Sequence, residues 1–244
     1  MHGVEEAVAL PGAPRVRRLS EESGASAIVP LPSNWIDAIE AGPVVTAVDR
    51  RIWLALLAHS WPLDPSAPVY SMPAARLREA VGMRARSNTR LRDSLSRLAG
   101  LRLEGVSPDR QGVPVFTGLD LPGGGTRVAW GFDPGAVALG LGSRAWMRVD
   151  MSVMRDLSGP RAARLYWLLG LRANLRGRFW SVPAGDLRRL LAPDYGWERW
   201  GVFRKSVLAP AVANVERATG WRVQVTTASN PTTRHVIRVR FTMN

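Results

Sequence analysis

The 244-residue chain predicts an α+β fold of two winged-helix (helix-turn-helix) domains in tandem, and three observations carry that reading. Between Arg161 and Phe241, three helical patterns are followed by two strand-like runs joined by a polar tip. That is the order of a helix-turn-helix module with a β wing. Shortened versions of the same segments recur in the first half, in the same order. The formal net charge is +13 and the isoelectric point about 11.5, which favours a polyanionic partner.

In the second half, Ala162, Leu165, Leu168 and Leu169 share one helical face, with Tyr166 beside them. SVPAGDLRRLL reads as a second helix capped by Ser181, with Pro183 in its first turn. The third helix carries an inward stripe of Trp200, Phe203, Val207, Ala211 and Val215. Arg199, Lys205, Ser206 and Ala209 lie opposite. Pro210 falls mid-pattern and predicts a kink or restart, and Gly220 a stop. WRVQVTT and HVIRVRFTM then read as a hairpin around ASNPTTR.

The first half repeats these signals. Arg51-Ile-Trp-Leu-Ala-Leu-Leu lines up with Arg164-Leu-Tyr-Trp-Leu-Leu, and Tyr70-Ser-Met-Pro-Ala-Ala with Trp180-Ser-Val-Pro-Ala-Gly. Ala99-Gly-Leu-Arg-Leu matches Thr219-Gly-Trp-Arg-Val. The corresponding third helix, SNTRLRDSLSRLAG, turns Leu91, Leu95 and Leu98 inward and Arg86, Arg90 and Arg97 outward. Asn88 falls nearer the core side. LRLEGV, VPVFTGLDL and TRVAWGF suggest a three-stranded wing with Arg110 or Arg127 near phosphate, or a partner-facing sheet. Upstream, NWIDAIEAG reads as a short helix burying Trp35, Ile36 and Ile39. Asp133 caps a short helix AVALGLG, and AWMRVDM reads as a strand. The expected layout is a mobile tail over 1–27, a first domain over 28–135 and a second over 136–244.

On RLYWLL, SVPAGDLRRLL, WGVFRKSVLAPAVANVERATGWRVQV and the basic strand IRVRFT, the chain resembles the Rep initiators of iteron-bearing plasmids. The resemblance is good from about Gly131 onward and weaker before. It implies two winged helices that bind direct repeats at a plasmid origin and start DNA replication. It implies double-stranded DNA and host replication proteins as partners, a homodimer through the first domain, and repression of the initiator's own promoter by dimers. With that reading, the base-reading candidates are Arg199, Arg204, Lys205 and Ser206 in the second module, and Arg86, Asn88, Arg90 and Arg97 in the first. Thr233, Arg234 and His235 would hold phosphate or the minor-groove edge. A winged-helix transcriptional regulator and a tandem winged-helix scaffold for an acidic protein partner explain the same basic faces.

Catalytic motifs are weighed and rejected. Gly140-Leu-Gly142-Ser-Arg-Ala145 fits a loose dinucleotide fingerprint but follows an apolar helix rather than a strand. The sole lysine, Lys205, follows Arg204, so no phosphate loop ending in Gly-Lys exists. His235-Val-Ile-Arg238 has recombinase spacing, yet Tyr70, Tyr166 and Tyr195 all lie upstream. His2, His59 and His235 are scattered, and no metal cluster is expected. With no cysteine, no disulfide or thiolate chemistry is open. Trp53, Trp167, Trp200 and Trp221 sit on apolar stripes and read as core rather than as a base-stacking platform. The expectation is a non-enzymatic, cofactor-free, cytoplasmic DNA-binding protein with no membrane segment or secretion signal.

Overall fold

The computed structural model describes residues 28–61, 63, 69–83, 88–105, 112–122, 125–173, 177–193 and 199–244. The 1–27 tail, Arg86 and Arg110 lie outside the described residues. Chain order begins with β1 (Ile28–Pro32), α1 (Ser33–Asp37) and β2 (Ile39–Ala41). The first module follows: α2 (Ala47–His59), β3 (Tyr70–Pro73), α3 (Ala74–Ala80), α4 (Thr89–Ala99), β4 (Arg102–Glu104), β5 (Val113–Pro114), β6 (Phe116–Asp120) and β7 (Arg127–Phe132). Helix α5 (Pro134–Leu141), β8 (Trp146–Asp150) and α6 (Met151–Asp156) connect it to the second. There, α7 (Pro160–Ala173), β9 (Phe179–Pro183) and α8 (Ala184–Leu191) precede a long helix. That helix comprises α9 (Trp200–Phe203), a π turn (Arg204–Leu208) and α10 (Ala209–Thr219). The hairpin β10 (Val223–Ser229) and β11 (Val236–Met243) ends the chain.

The duplication is visible in sheet topology. Strand order β10-β11-β9 in the second module matches β6-β7-β3 in the first, each with the last strand of the module in the middle. Register matches too. Tyr70 faces Trp130 across β3 and β7, and Trp180 faces Phe241 across β9 and β11, each a stacked aromatic pair. Such pairs add to the burial that fixes a sheet's register.

Several expectations need correction here. Ser181 caps nothing; it lies in β9, opposite Arg240, and helix α8 begins at Ala184 with Pro183 at its N-cap. Proline drives the preceding residue into extended backbone, so Ser-Val-Pro is better suited to a strand than to a helical turn. The same holds for Ser71-Met72-Pro73 in β3. The upstream helix stops at Asp37, and Ile39 belongs to β2 rather than to a helical face. The three wing segments of the first module do not form one sheet. β4 pairs with β2 and β5, whereas β7 pairs with both β6 and β3, so β4–β5 is an insertion ahead of the wing proper.

Other expectations match. Asp133 caps α5, accepting from the Gly135 and Ala136 amides at 2.8 and 3.4 Å. Gly220 ends α10 in the left-handed conformation at φ 74°, which glycine adopts without Cβ strain. Trp53 and Trp167 are fully buried, and Trp200 and Trp221 pack partly buried against the same core.

The modules are not separate bodies strung on a linker. Strand β1 pairs antiparallel with β8 from Ile28↔Asp150 to Pro32↔Trp146, so a cut at residue 135 parts β1 from its partner. Trp35, Trp53 and Trp167 form a buried aromatic column from α1 through α2 to α7, with ring centres 5.6 and 5.5 Å apart. Beside it, Glu40 on β2 pairs with Arg50 of α2 and, at 3.2 Å, with Arg164 of α7. Arg164 also donates to the carbonyls of Ala38 and Leu190. All three charged side chains are buried, and burial lowers the Arg164 pKa. A charge removed from water persists only with such a set of partners.

Candidate nucleic-acid interface

The long helix of the second module presents a continuous solvent face. Phe203, Val207, Leu208, Ala211, Val212 and Val215 are buried. Gly201, Val202, Arg204, Lys205, Ser206, Ala209 and Pro210 are exposed. The π turn shapes this face. Pro210 has no N–H, so the Ser206 carbonyl lacks its usual intrahelical donor, and the ring would crowd that carbonyl in a regular helix. Widening the preceding turn relieves the conflict: the Ala209 amide bonds back to the Arg204 carbonyl, five residues away. The expected kink at Pro210 is thus met by a π turn just before it. The widened turn leaves three consecutive polar side chains, Arg204, Lys205 and Ser206, in solvent.

Arg199 occupies the N-cap of α9, exposed, with its carbonyl accepting from Val202 and Phe203 at 2.9 and 3.2 Å. The wing tip is built by Asn230. Its side-chain oxygen accepts from the Thr232 and Thr233 amides at 2.9 and 3.0 Å, and its backbone pairs with His235 and Arg234. Arg234 takes a left-handed φ of 57°, uncommon for a residue with a Cβ. Thr233, Arg234 and His235 are all exposed at this tip.

The sheet behind the tip adds two cations of the basic strand IRVRFT that are not among the DNA-contact candidates named from sequence. Arg238 and Arg240 stand on the outer face of β11, while Val239, Phe241 and Met243 turn inward. Strict alternation in Arg-Val-Arg-Phe-Thr-Met was the available signal. Arg240 lies over the Phe179 ring at 4.5 Å.

The first module's helix is more committed to its own fold. Arg90 is exposed and lines a cavity of about 390 Å³ with Thr46, Arg51, Asp93 and Arg97. Arg97 turns toward α2 instead of standing free. Its Nε and a terminal nitrogen bind the two Asp49 oxygens at 2.8 and 3.0 Å, leaving its side chain 34% exposed. Burial raises the Asp49 pKa, but hydrogen bonds from Arg97, Ser94 and Thr46 outweigh it and leave the carboxyl below its ordinary value. Asp49 also completes a capping box with Thr46 at the start of α2. Asn88 is likewise engaged: its oxygen accepts from Arg78, and its amide donates to the Gly125 carbonyl at 2.8 Å. That bond ties the start of α4 to the β6–β7 hairpin. Arg127 donates to the carbonyl and hydroxyl of Ser71. Arg92, not singled out from sequence, is exposed one helical turn before Ser96. Among the described residues no cluster of His, Asp and Glu could hold a metal, and no helix is long and apolar enough to cross a membrane.

No protein-family model matches the chain, and no curated protein does. Among solved structures, it is similar to the crystal structure of the Pi initiator protein in complex with iteron DNA. The match covers 88% of this chain and 95% of that one, with a TM-score of 0.65 and 13% sequence identity. The tandem strand order, the two basic helices and this likeness agree: the chain has an α+β fold of two winged helices in tandem, and its fold is like that of the Pi initiator.

Proposed function

We propose that this chain is a plasmid replication initiator that binds directly repeated origin DNA through its two winged helices, without catalysis. One observation carries the reading: the exposed run Arg204–Lys205–Ser206 on the second module's long helix, in a module that also carries the Asn230-ordered wing, within a fold like that of an initiator bound to iteron DNA. In this reading the helix lies in a major groove and Arg199, Arg204, Lys205 and Ser206 meet base edges and flanking phosphates. Thr233, Arg234 and His235, with Arg238 and Arg240 behind them, hold the backbone. The first module adds Arg90 and Arg92 to phosphate and supplies a surface for a second copy. Host replication proteins are the further partners, and autoregulation belongs to the same reading.

The test is a DNA-binding isotherm at several salt concentrations. Neutralising about six to ten phosphates predicts a drop in affinity of about 10³–10⁵-fold between roughly 50 and 200 mM salt. Sequence selection with the full chain should enrich direct repeats. A shallow salt dependence, or enrichment of a palindrome, would set this reading aside.

A further inference from the structure

Among the described residues the large apolar side chains that stand exposed are Val44, Val69, Phe179, Val202 and Ile237. A single exposed apolar residue ordinarily needs no explanation. Val202 differs in its position. It is 39% exposed in the first turn of the long helix, three residues after Arg199 and three before Lys205. Gly201 next to it has no side chain, and a Cβ there would meet nothing within 4 Å, so the helix surface beside Val202 is low and open. Ala209, seven residues beyond Val202 and just past the π turn, is exposed and small as well. A helix bare of long side chains at these points can approach the groove floor closely.

The first residues of a recognition helix are those that reach base edges. In the major groove thymine alone presents a methyl group, and an apolar side chain is its natural contact. Valine suits that task because branching at Cβ restricts χ1 and holds its methyls in place. One helical turn rises about 5.4 Å, against about 3.4 Å per base-pair step. Val202 and Lys205 therefore reach positions one or two base pairs apart.

We propose that Val202 is a specificity-determining residue that reads the 5-methyl group of a thymine one or two base pairs from the position contacted by Lys205. The inference rests on the DNA-binding reading above and deepens it. The experiment starts from the site selected by the full chain, with the Lys205 position mapped by repeating the selection with Lys205→Ala. Each thymine is then replaced in turn by uracil, which lacks only the methyl. At one thymine within two base pairs of the mapped position, uracil should weaken binding about three- to fivefold, the scale of one methyl group removed from water. Val202→Ala should bind thymine and uracil at that position equally, and respond as the parent does everywhere else. Its side chain is outside the core, and its circular dichroism and melting should match the parent.

If no thymine in that window responds, or if Val202→Ala still tells uracil from thymine, the assignment to Val202 is wrong. Steep salt dependence and repeat binding would then still uphold the initiator reading. Selection that enriches no sequence would overturn both.

Discussion

At the scale of single residues, the two modules use the same side-chain types differently. In the second, Arg199, Lys205 and Ser206 are exposed on the helix, so a change there should act on sequence preference. Lys205→Ala should relax preference at particular base pairs by about 1–3 kcal/mol. Arg234→Ala, at the wing tip, should weaken all sequences alike and lower the salt slope by about one. Selection profiles and salt titrations of both variants separate these outcomes. In the first module Arg97 is held by Asp49, so its loss should show in folding before binding. The Asp49 carboxyl sits below its ordinary value in the fold. Its contribution is therefore fully present above about pH 4, the ordinary aspartate range, and is lost as pH falls through the depressed folded value. Urea melts of Asp49→Asn should show lower stability than the parent at pH 7, with the difference shrinking as the pH falls below the ordinary aspartate range.

At the scale of elements, Pro210 and the π turn before it offer a direct test. Pro210→Ala restores an N–H that can bond the Ser206 carbonyl, and the widened turn loses its cause. We expect equal or higher melting temperature together with weaker binding to the selected site, as Lys205 and Ser206 rotate on the face. Stability that falls while binding holds would mean that the turn is set by packing instead. The element scale also shows what could be read from the chain. The stripes of α2, α4, α7 and the long helix were legible because their apolar residues repeat at helical spacing. Helix α8 was legible too, but its start was not: a serine before a proline mimics a cap, and only pairing with β11 reveals a strand. β4 was misplaced for a related reason. Its composition suits a wing, and its partner, β2, lies far upstream, where no local pattern points to it. Among site residues, exposure on the second module's helix was readable from period. The inward turn of Arg97 and the bond from Asn88 to Gly125 depend on tertiary neighbours.

At the scale of the molecule, the buried Glu40 joins both modules. Glu40→Gln leaves Arg50 and Arg164 buried without their carboxylate, and removing one partner of such a set costs about 3–5 kcal/mol. Calorimetry should register it as one lowered transition, because one hydrophobic core runs through both modules. Two melts, with only one shifted, would show that the modules unfold separately. Rigid coupling also bears on DNA geometry. Inserting about five base pairs between half-sites turns one to the opposite face of the duplex. A chain whose modules are fixed to each other should lose most of its added affinity on that site.

The β1–β8 pairing has a further consequence, for how the chain is made and how it breaks. During synthesis β1 emerges long before β8, so the first half must wait with an open strand edge until Trp146–Asp150 leaves the ribosome. Interrupted translation products would carry that edge uncovered, an invitation to aggregate. A finished molecule gains the opposite property. A proteolytic nick between α5 and β8 cuts the backbone but not the strand pair, the tryptophan column or the Glu40 network. The two pieces should co-elute until denatured, and halves expressed separately should find each other and rebuild the fold.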